Sequence, residues 1–190
     1  MKKVIVKSVT ITLVLILLLS TIISVVLCLF FPKTISNLSF KIGNYDLAVT
    51  YSEKSYQKDP SVENLVDLVE KSIIAKNNAV TCKYAGVLLV DDNFREDILP
   101  NKELGYLNYI ASSYVKALYY SNDYEKCVKS AVNYTNYNER SINPTTTLIS
   151  ICAEDNNKPV LNMLLNELNL LASNEIIEEY KLNVNTILQN

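Results

Sequence analysis

Apolar positions after residue 31 recur three and four residues apart with polar residues between them, and this spacing predicts a series of short amphipathic helices. In the stretch 38–62, two such helices are separated by Gly43-Asn44, residues that tolerate a left-handed backbone and therefore end a helix. Pro60 closes the second helix because proline cannot continue it. The buried face of this helix pair is predicted to consist of Phe40, Ile42, Tyr45, Ala48, Val49 and Tyr51.

The same pattern continues to the end of the chain. The further helices are predicted over residues 63–75, 79–89, 102–121, 125–134, 145–155, 158–171 and 175–189. Asn-rich dipeptides separate the members of each pair, whereas the polar segment 91–97 predicts a loop or an irregular turn. One residue per pair is predicted to sit where the two helices cross. These crossing residues are Ala48, Cys82, Cys127 and Leu161, at spacings of 34, 45 and 34.

The first helix pair resembles a tetratricopeptide repeat, a helix–turn–helix unit of about 34 residues. The residues that carry the resemblance are Gly43, Tyr45, Ala48 and Pro60, and the recurring interval supports it. A single helical hairpin is the alternative interpretation. The resemblance implies an all-α fold, a short α-solenoid of about four helical hairpins, with the amphipathic helix 175–189 as a C-terminal cap.

The resemblance also implies that the first helix of each pair lines a concave groove that binds a protein or peptide partner. The groove residues expected on this basis are Asn64, Asp67, Lys71, Tyr109, Lys116, Tyr119 and Tyr120, with Ser112, Asn143, Thr146 and Ser150 beside them. Tyrosine faces and lysine ammonium groups suit an extended peptide. The alternative is that these tyrosines only cover the surface between helices.

The segment before the helix pairs contains an uncharged run, residues 8–31. As a helix, these 24 residues extend about 36 Å, against about 30 Å of bilayer hydrocarbon. We therefore expect a transmembrane helix over 8–31 that contacts the lipid bilayer. A cleaved signal peptide is the alternative, disfavoured by the length of the run and by the lack of an A-x-A-like site.

Lys2, Lys3 and Lys7 precede this run, and positive flanks stay on the cytoplasmic side of a membrane. The expected organisation is a cytoplasmic N-terminus over 1–7, a single-pass span, and an extracytoplasmic repeat domain over 33–190. The location expected is thus the cell membrane.

Composition excludes several kinds of chemistry. The chain has 190 residues, a net charge of −2 and no histidine, so it lacks a basic stripe for nucleic acid and the commonest general base and metal ligand. Phosphate-binding and nucleophile-elbow motifs are absent from the sequence. We therefore expect no enzyme activity, no cofactor, no metal and no small-molecule substrate. The Asn-, Lys-, Ile- and Tyr-rich composition is typical of AT-rich bacteria.

The chain has four cysteines, none in a C-x-x-C pair. Cys82, Cys127 and Cys152 are expected to be small buried residues. A disulfide between Cys127 and Cys152 is a weaker hypothesis, since the expected compartment is oxidising.

These observations predict a membrane-anchored, extracytoplasmic helical-repeat module that binds a protein or peptide, as an adaptor or scaffold in envelope assembly or secretion. The alternative is a structural accessory subunit of a membrane complex, in which the transmembrane helix makes the specific contact. An enzyme with an unrecognised site is a third class.

Overall fold

The structure, a computed structural model, describes residues 2–138 and 142–189, and every regular element in these ranges is helical. The α-helices are α1 Lys2–Phe30, α2 Pro32–Lys41, α3 Tyr45–Lys58, α4 Val62–Ile74, α5 Asn78–Val90, α6 Tyr106–Tyr120, α7 Tyr124–Tyr134, α8 Pro144–Glu154, α9 Lys158–Asn169 and α10 Glu175–Gln189. The all-α prediction is confirmed for the described part of the chain. The helices belong to two compact units, one ending at Pro60 and the other beginning at Ser61.

The first unit begins with α1, a helix of 29 residues that covers most of the predicted membrane span. Within the described residues, no helix has both the length and the apolar character needed to cross a bilayer. The structure thus contradicts the predicted transmembrane helix over 8–31.

The orientation predicted for this segment depended on side chains that the structure does not describe. Lys2, Lys3 and Lys7 lie outside the described side chains, as does Cys28. The cytoplasmic N-terminus over 1–7 and the extracytoplasmic domain over 33–190 stay predictions from sequence.

The first helix pair, α2 and α3, has the predicted boundaries but a different interface. Pro32 separates α1 from α2 as expected, because proline is favoured at the first position of a helix. The predicted buried face was wrong at Ile42 and Tyr45, which are 70% and 42% exposed. Small side chains fill the contact instead, namely Ser36, Ser39, Ala48, Val49, Ser52 and Ser55.

Serine hydroxyls bond across this first interface. The Ser36 hydroxyl donates to the Ala48 carbonyl at 2.8 Å, and its Oγ lies 2.7 Å from Ser52 Oγ. The hydroxyls of Ser36 and Ser52 are thereby satisfied, which removes the cost of burying them unpaired. Hydrophobic periodicity could not find this face, because the residues that form it are mostly polar.

The four helix pairs close through one repeated turn geometry. In each turn the residue just before the second helix's N-cap has a left-handed backbone. These residues are Gly43, Lys76, Asn122 and Asn156, with φ of 79°, 54°, 59° and 50°. The next residue donates its backbone N–H to the carbonyl five positions earlier, as in a Schellman motif. These four bonds are Asn44 to Ser39, Asn77 to Ser72, Asp123 to Leu118 and Asn157 to Cys152, at 2.8–3.0 Å.

The donor of each turn bond is also the N-cap of the helix that follows. The side chains of Asn44, Asn77 and Asn157 accept a hydrogen bond from the backbone N–H three positions on, while Asp123 makes no such bond. In the three turns that contain Asn44, Asn77 and Asn157, a single asparagine therefore ends one helix and starts the next. Four turns of one geometry fit a helical repeat.

This turn geometry corrects one crossing residue. The residue four positions after each N-cap is buried, and these residues are Ala48, Thr81, Cys127 and Leu161. The sequence prediction of Cys82 was wrong by one position, and Cys82 is only partly buried. Thr81 takes the crossing place, with its Oγ1 2.9 Å from Ser72 Oγ on α4. The intervals between crossing residues become 33, 46 and 34.

The extra length between the second and third pairs is ordered. The segment 91–97 was predicted to be a loop or an irregular turn, and the structure has irregular turns there: Phe94–Ile98 forms a π-helical turn and Leu99–Asn101 a 3₁₀ turn. Phe94 is fully buried, and its N–H bonds Asp91 Oδ1 at 2.9 Å. Arg95 donates from Nε and Nη2 to the Leu89 carbonyl at 3.2 and 2.8 Å, which caps the end of α5.

Packing within the second unit follows the order of the pairs. Helix α6 contacts α5, α7 and α8, and α7 contacts α9, so the third and fourth pairs stack first helix on first helix and second on second. Helix α10 packs on α9 and α8, and its residues Ile177, Tyr180 and Val184 are buried. Its Tyr180 hydroxyl accepts a 2.7 Å hydrogen bond from Asn143 Nδ2.

The cysteines of the second unit are free. Cys127 and Cys152 are buried, as predicted for small core residues, and the hypothesis of a disulfide between them was wrong. Burial raises the pKa of each of these two thiols from 9.0 to about 12. Both therefore stay protonated at neutral pH.

Candidate functional site

A concave surface in the second unit gathers around Lys116 on α6. Three cavities, of about 410, 350 and 340 Å³, all have Lys116 in their lining. We call this surface the Lys116 groove. The residues shared by at least two of the cavities are Ser113, Lys116, Tyr120, Ile142 and Thr147.

Three parts of the chain supply the walls of the Lys116 groove. The first cavity lies between α6 and the α4–α5 turn, with Ile73, Lys76 and Asn78 in its lining. The second extends along α6 towards Tyr109. The third lies between α6 and α8 and reaches Glu154. Helix α6 is central because it packs against both α5 and α8.

The face of α6 that lines the groove follows helical spacing. Tyr109, Ser113, Lys116 and Tyr120 are separated by four, three and four positions, which places them on one side of the helix. The opposite face carries Ile110, Ala111, Tyr114, Val115 and Leu118, which are buried in the core. The amphipathic pattern of α6 thus fixes which side chains reach the groove.

Lys116 is exposed, and its ammonium lies 6.0 Å from the centroid of the Tyr120 ring. At that distance the cation–π attraction is weak. Within the described residues, no carboxylate lies within ion-pair distance of Lys116 or Lys76. Among the described residues, neither ammonium group therefore has an ion-pair partner, although Glu154 lines the third cavity with Lys116.

The second cavity has an unpaired hydroxyl beside it. Among the described residues, Ser112 Oγ is the buried side-chain oxygen or nitrogen that has no hydrogen-bond partner. Ser112 lines the cavity together with Tyr109 and Thr147. An unpaired buried hydroxyl costs about 1–3 kcal/mol, so a partner that reached it would be favoured.

Six of the groove residues that the resemblance implied do line the cavities. Lys116, Tyr109 and Tyr120 do so, and the two tyrosines are 44% and 49% exposed. Ser112, Thr146 and Ser150 also line them.

The other predicted groove residues lie elsewhere. Asn64 and Lys71 are buried in α4, and Lys71 Nζ is held by Asp67 Oδ2 at 2.8 Å. Tyr119 is buried, and its hydroxyl accepts a hydrogen bond from Asn157 Nδ2 at 3.1 Å. Burial raises the pKa of Tyr119 to about 12.

Asn143, also expected in the groove, is buried too, where it forms the capping box that starts α8. Its role is structural because its side chain joins the N–H of Thr146 and the Tyr180 hydroxyl.

Sequence reasoning missed Ser113, Thr147 and Lys76. Ser113 could have been found, because it is four positions from Tyr109 and three from Lys116. Lys76 could not, because only the fold of the α4–α5 turn brings it to the same cavity as Lys116.

In the described ranges, no group of three or more His, Cys, Asp or Glu residues could hold a metal ion. The groove lining instead combines hydroxyls, aromatic rings and ammonium groups, which bind by hydrogen bonds, contact area and charge.

Comparison with known proteins adds no family assignment. The chain matches no protein-family model, and no curated protein is detectably similar to it.

Proposed function

We propose that this protein is a helical-repeat binding module that holds an extended peptide or protein segment in the Lys116 groove. The observation that carries the proposal is the convergence of three cavities on one exposed lysine between stacked helix pairs. Concave surfaces of stacked repeats are suited to extended ligands. The proposal is binding without catalysis, and the partner is a protein or peptide.

The repeat type we propose is tetratricopeptide-like. Four turns of one geometry support this proposal. The N-caps Asn44 and Asn77 are 33 positions apart, and the N-caps Asp123 and Asn157 are 34 positions apart, which also supports it. The longer interval of 46 holds the π-helical and 3₁₀ turns. Stacking of α6 on α8 and of α7 on α9 is the arrangement that such repeats use.

The proposal is tested by locating where peptides bind. The full chain is used to select binders from a displayed library of random peptides of about ten residues, long enough to extend about 33 Å. A photoreactive phenylalanine analogue then replaces Tyr120 in one variant and Glu125 in another. Glu125 is the matched control because it is exposed on α7 and lines none of the three cavities.

Selected peptides are expected to cross-link at position 120 and not at position 125. Failure to enrich any binder would overturn the proposal, as would equal cross-linking at both positions.

A further inference from the structure

The three cavities of the Lys116 groove differ in charge. Among the described residues, the first is lined by Lys76 and Lys116 and by no acidic residue. The third contains Lys116 and Glu154. Lys116 is the charged residue among the described residues that line the second cavity, with Tyr109 and the exposed side chain of Ile142 as its apolar contacts.

The part of the chain that the structure describes places no carboxylate within ion-pair distance of either ammonium of the first cavity. Lys76 and Lys116 have no ion pair within the described residues, whereas Lys71, Lys102, Lys129 and Lys181 each pair with a carboxylate. Two like charges that share a cavity repel each other, and an anion between them relieves this repulsion. The first cavity is therefore electrostatically complementary to a negative group.

The same cavity also offers neutral hydrogen-bond donors. Ser113 and Asn78, whose side chains carry a hydroxyl and an amide, are both among its lining residues. A carboxylate accepts several hydrogen bonds at once, so hydroxyl, amide and ammonium donors in one cavity suit it.

We infer that the ligand of the Lys116 groove is an acidic peptide segment, with an Asp or Glu side chain in the first cavity between Lys76 and Lys116. An apolar side chain of the same segment lies in the second cavity against Tyr109 and Ile142. This inference rests on the proposed function, since it specifies the chemistry of the segment that the groove holds.

The test compares two defined pools of peptides of about ten residues with the full chain. In the acidic pool a quarter of the positions are Asp or Glu, and in the neutral pool Asn and Gln replace every one of them. Three variants accompany the unmodified chain: Lys116→Met, Lys76→Asn and Lys129→Met. Asparagine is chosen at position 76 because it tolerates the left-handed backbone there.

Lys129→Met is the matched control, since it removes the same charge from α7, outside the three cavities. The acidic pool is expected to bind about fivefold more tightly than the neutral pool, the effect of a partly exposed ion pair. Lys116→Met and Lys76→Asn each reduce that preference, and Lys129→Met leaves it unchanged. Added salt weakens binding of the acidic pool more than that of the neutral pool.

The outcomes separate the two proposals. Equal binding of both pools, with cross-links still formed at position 120, would overturn the acidic ligand and leave the groove in place. A preference for the acidic pool that Lys129→Met reduces as much as Lys116→Met does would show general charge attraction and would also overturn it. Binding of neither pool, with no binder selected from the random library, would overturn both.

Discussion

The hydroxyl of Tyr106 donates a 2.6 Å hydrogen bond to Glu70 Oε1, across 36 positions of sequence. The same oxygen accepts from Lys102 Nζ at 3.0 Å. Glu70 lies on α4, Tyr106 is the first residue of α6, and Lys102 lies in the connection just before α6. The Glu70 carboxylate thus holds the end of the connection between the second and third helix pairs against α4.

Replacing Tyr106 with phenylalanine removes this hydrogen bond and keeps the ring. We expect a loss of about 1–2 kcal/mol in the free energy of unfolding, because the acceptor is a charged carboxylate. Tyr109→Phe is the control, since the Tyr109 hydroxyl makes no hydrogen bond within the described residues. Urea denaturation of both variants measures the difference, and equal losses would contradict the assigned role of Glu70.

The backbone of Gly43 predicts a stability change of its own. Its φ is 79°, and a Cβ added there would meet no atom within 4 Å. Gly43→Ala is therefore expected to cost about 1 kcal/mol through backbone strain alone, and Gly43→Asn less, because asparagine enters the left-handed region more easily.

The opposite substitution, from a residue with a side chain to glycine, can be made at Lys76. Its φ is 54° and it occupies the equivalent turn position, so Lys76→Gly is expected to stabilise the second unit by about 0.5 kcal/mol. Thermal unfolding of both sets of variants is the measurement. A destabilised Lys76→Gly variant would show that the shared turn geometry does not determine the effect.

Gly86 is required for a different reason. A Cβ at this position would lie 2.6 Å from the Tyr114 hydroxyl oxygen and 2.9 Å from its Cζ. Tyr114 is buried and has little room to move, so Gly86→Ala is expected to destabilise by about 1–3 kcal/mol, less the gain in helix propensity of about 1 kcal/mol.

A double-mutant cycle isolates this contact. Tyr114→Phe removes the nearest atom, so Gly86→Ala should cost less in that background than in the unmodified chain. Chemical denaturation of the four proteins gives the coupling free energy. Additive effects would mean that the Gly86–Tyr114 approach does not limit the close packing of α5 and α6.

The buried thiols predict a loss of stability in alkali. Burial raises the pKa of Cys127 and Cys152 from 9.0 to about 12, so the folded protein keeps protons that the unfolded chain releases. The corresponding stability is fully present below pH 9 and is lost as the pH rises from 9 to about 12. Unfolding free energies measured across this range should fall less steeply for Cys152→Ala. Equal slopes would contradict this assignment.

Reactivity towards iodoacetamide should follow the same order. Cys82 is partly buried, its Sγ lies 3.6 Å from Ser121 Oγ, and its pKa is raised chiefly by burial. We expect Cys82 to be alkylated before Cys127 and Cys152, because those two are enclosed in the core. Peptide mapping by mass spectrometry at pH 8 distinguishes the three. Prior modification of Cys127 would show that the core around α7 opens readily.

The sequence by itself determined the helices of the pairs and their ends. Helical spacing, Asn-rich turns and Pro60 are local properties, so α3, α5, α7, α9 and α10 could be placed to within a few residues. Tyr109, Lys116 and Tyr120 were implied by the resemblance to a tetratricopeptide repeat, and they line the cavities because they share one face of α6.

Only the tertiary structure decided which polar residues are buried. Three examples are the serine contact of α2 and α3, the burial of Lys71 beside Asp67, and the position of Thr81 in the core. Each depends on partners distant in sequence or on the exact register of a helix. Hydrophobic periodicity does not predict the burial of hydroxyl groups that hydrogen-bond to each other. The tertiary structure likewise brought Lys76 to Lys116, because the position of a turn beside a neighbouring pair depends on how the helices stack.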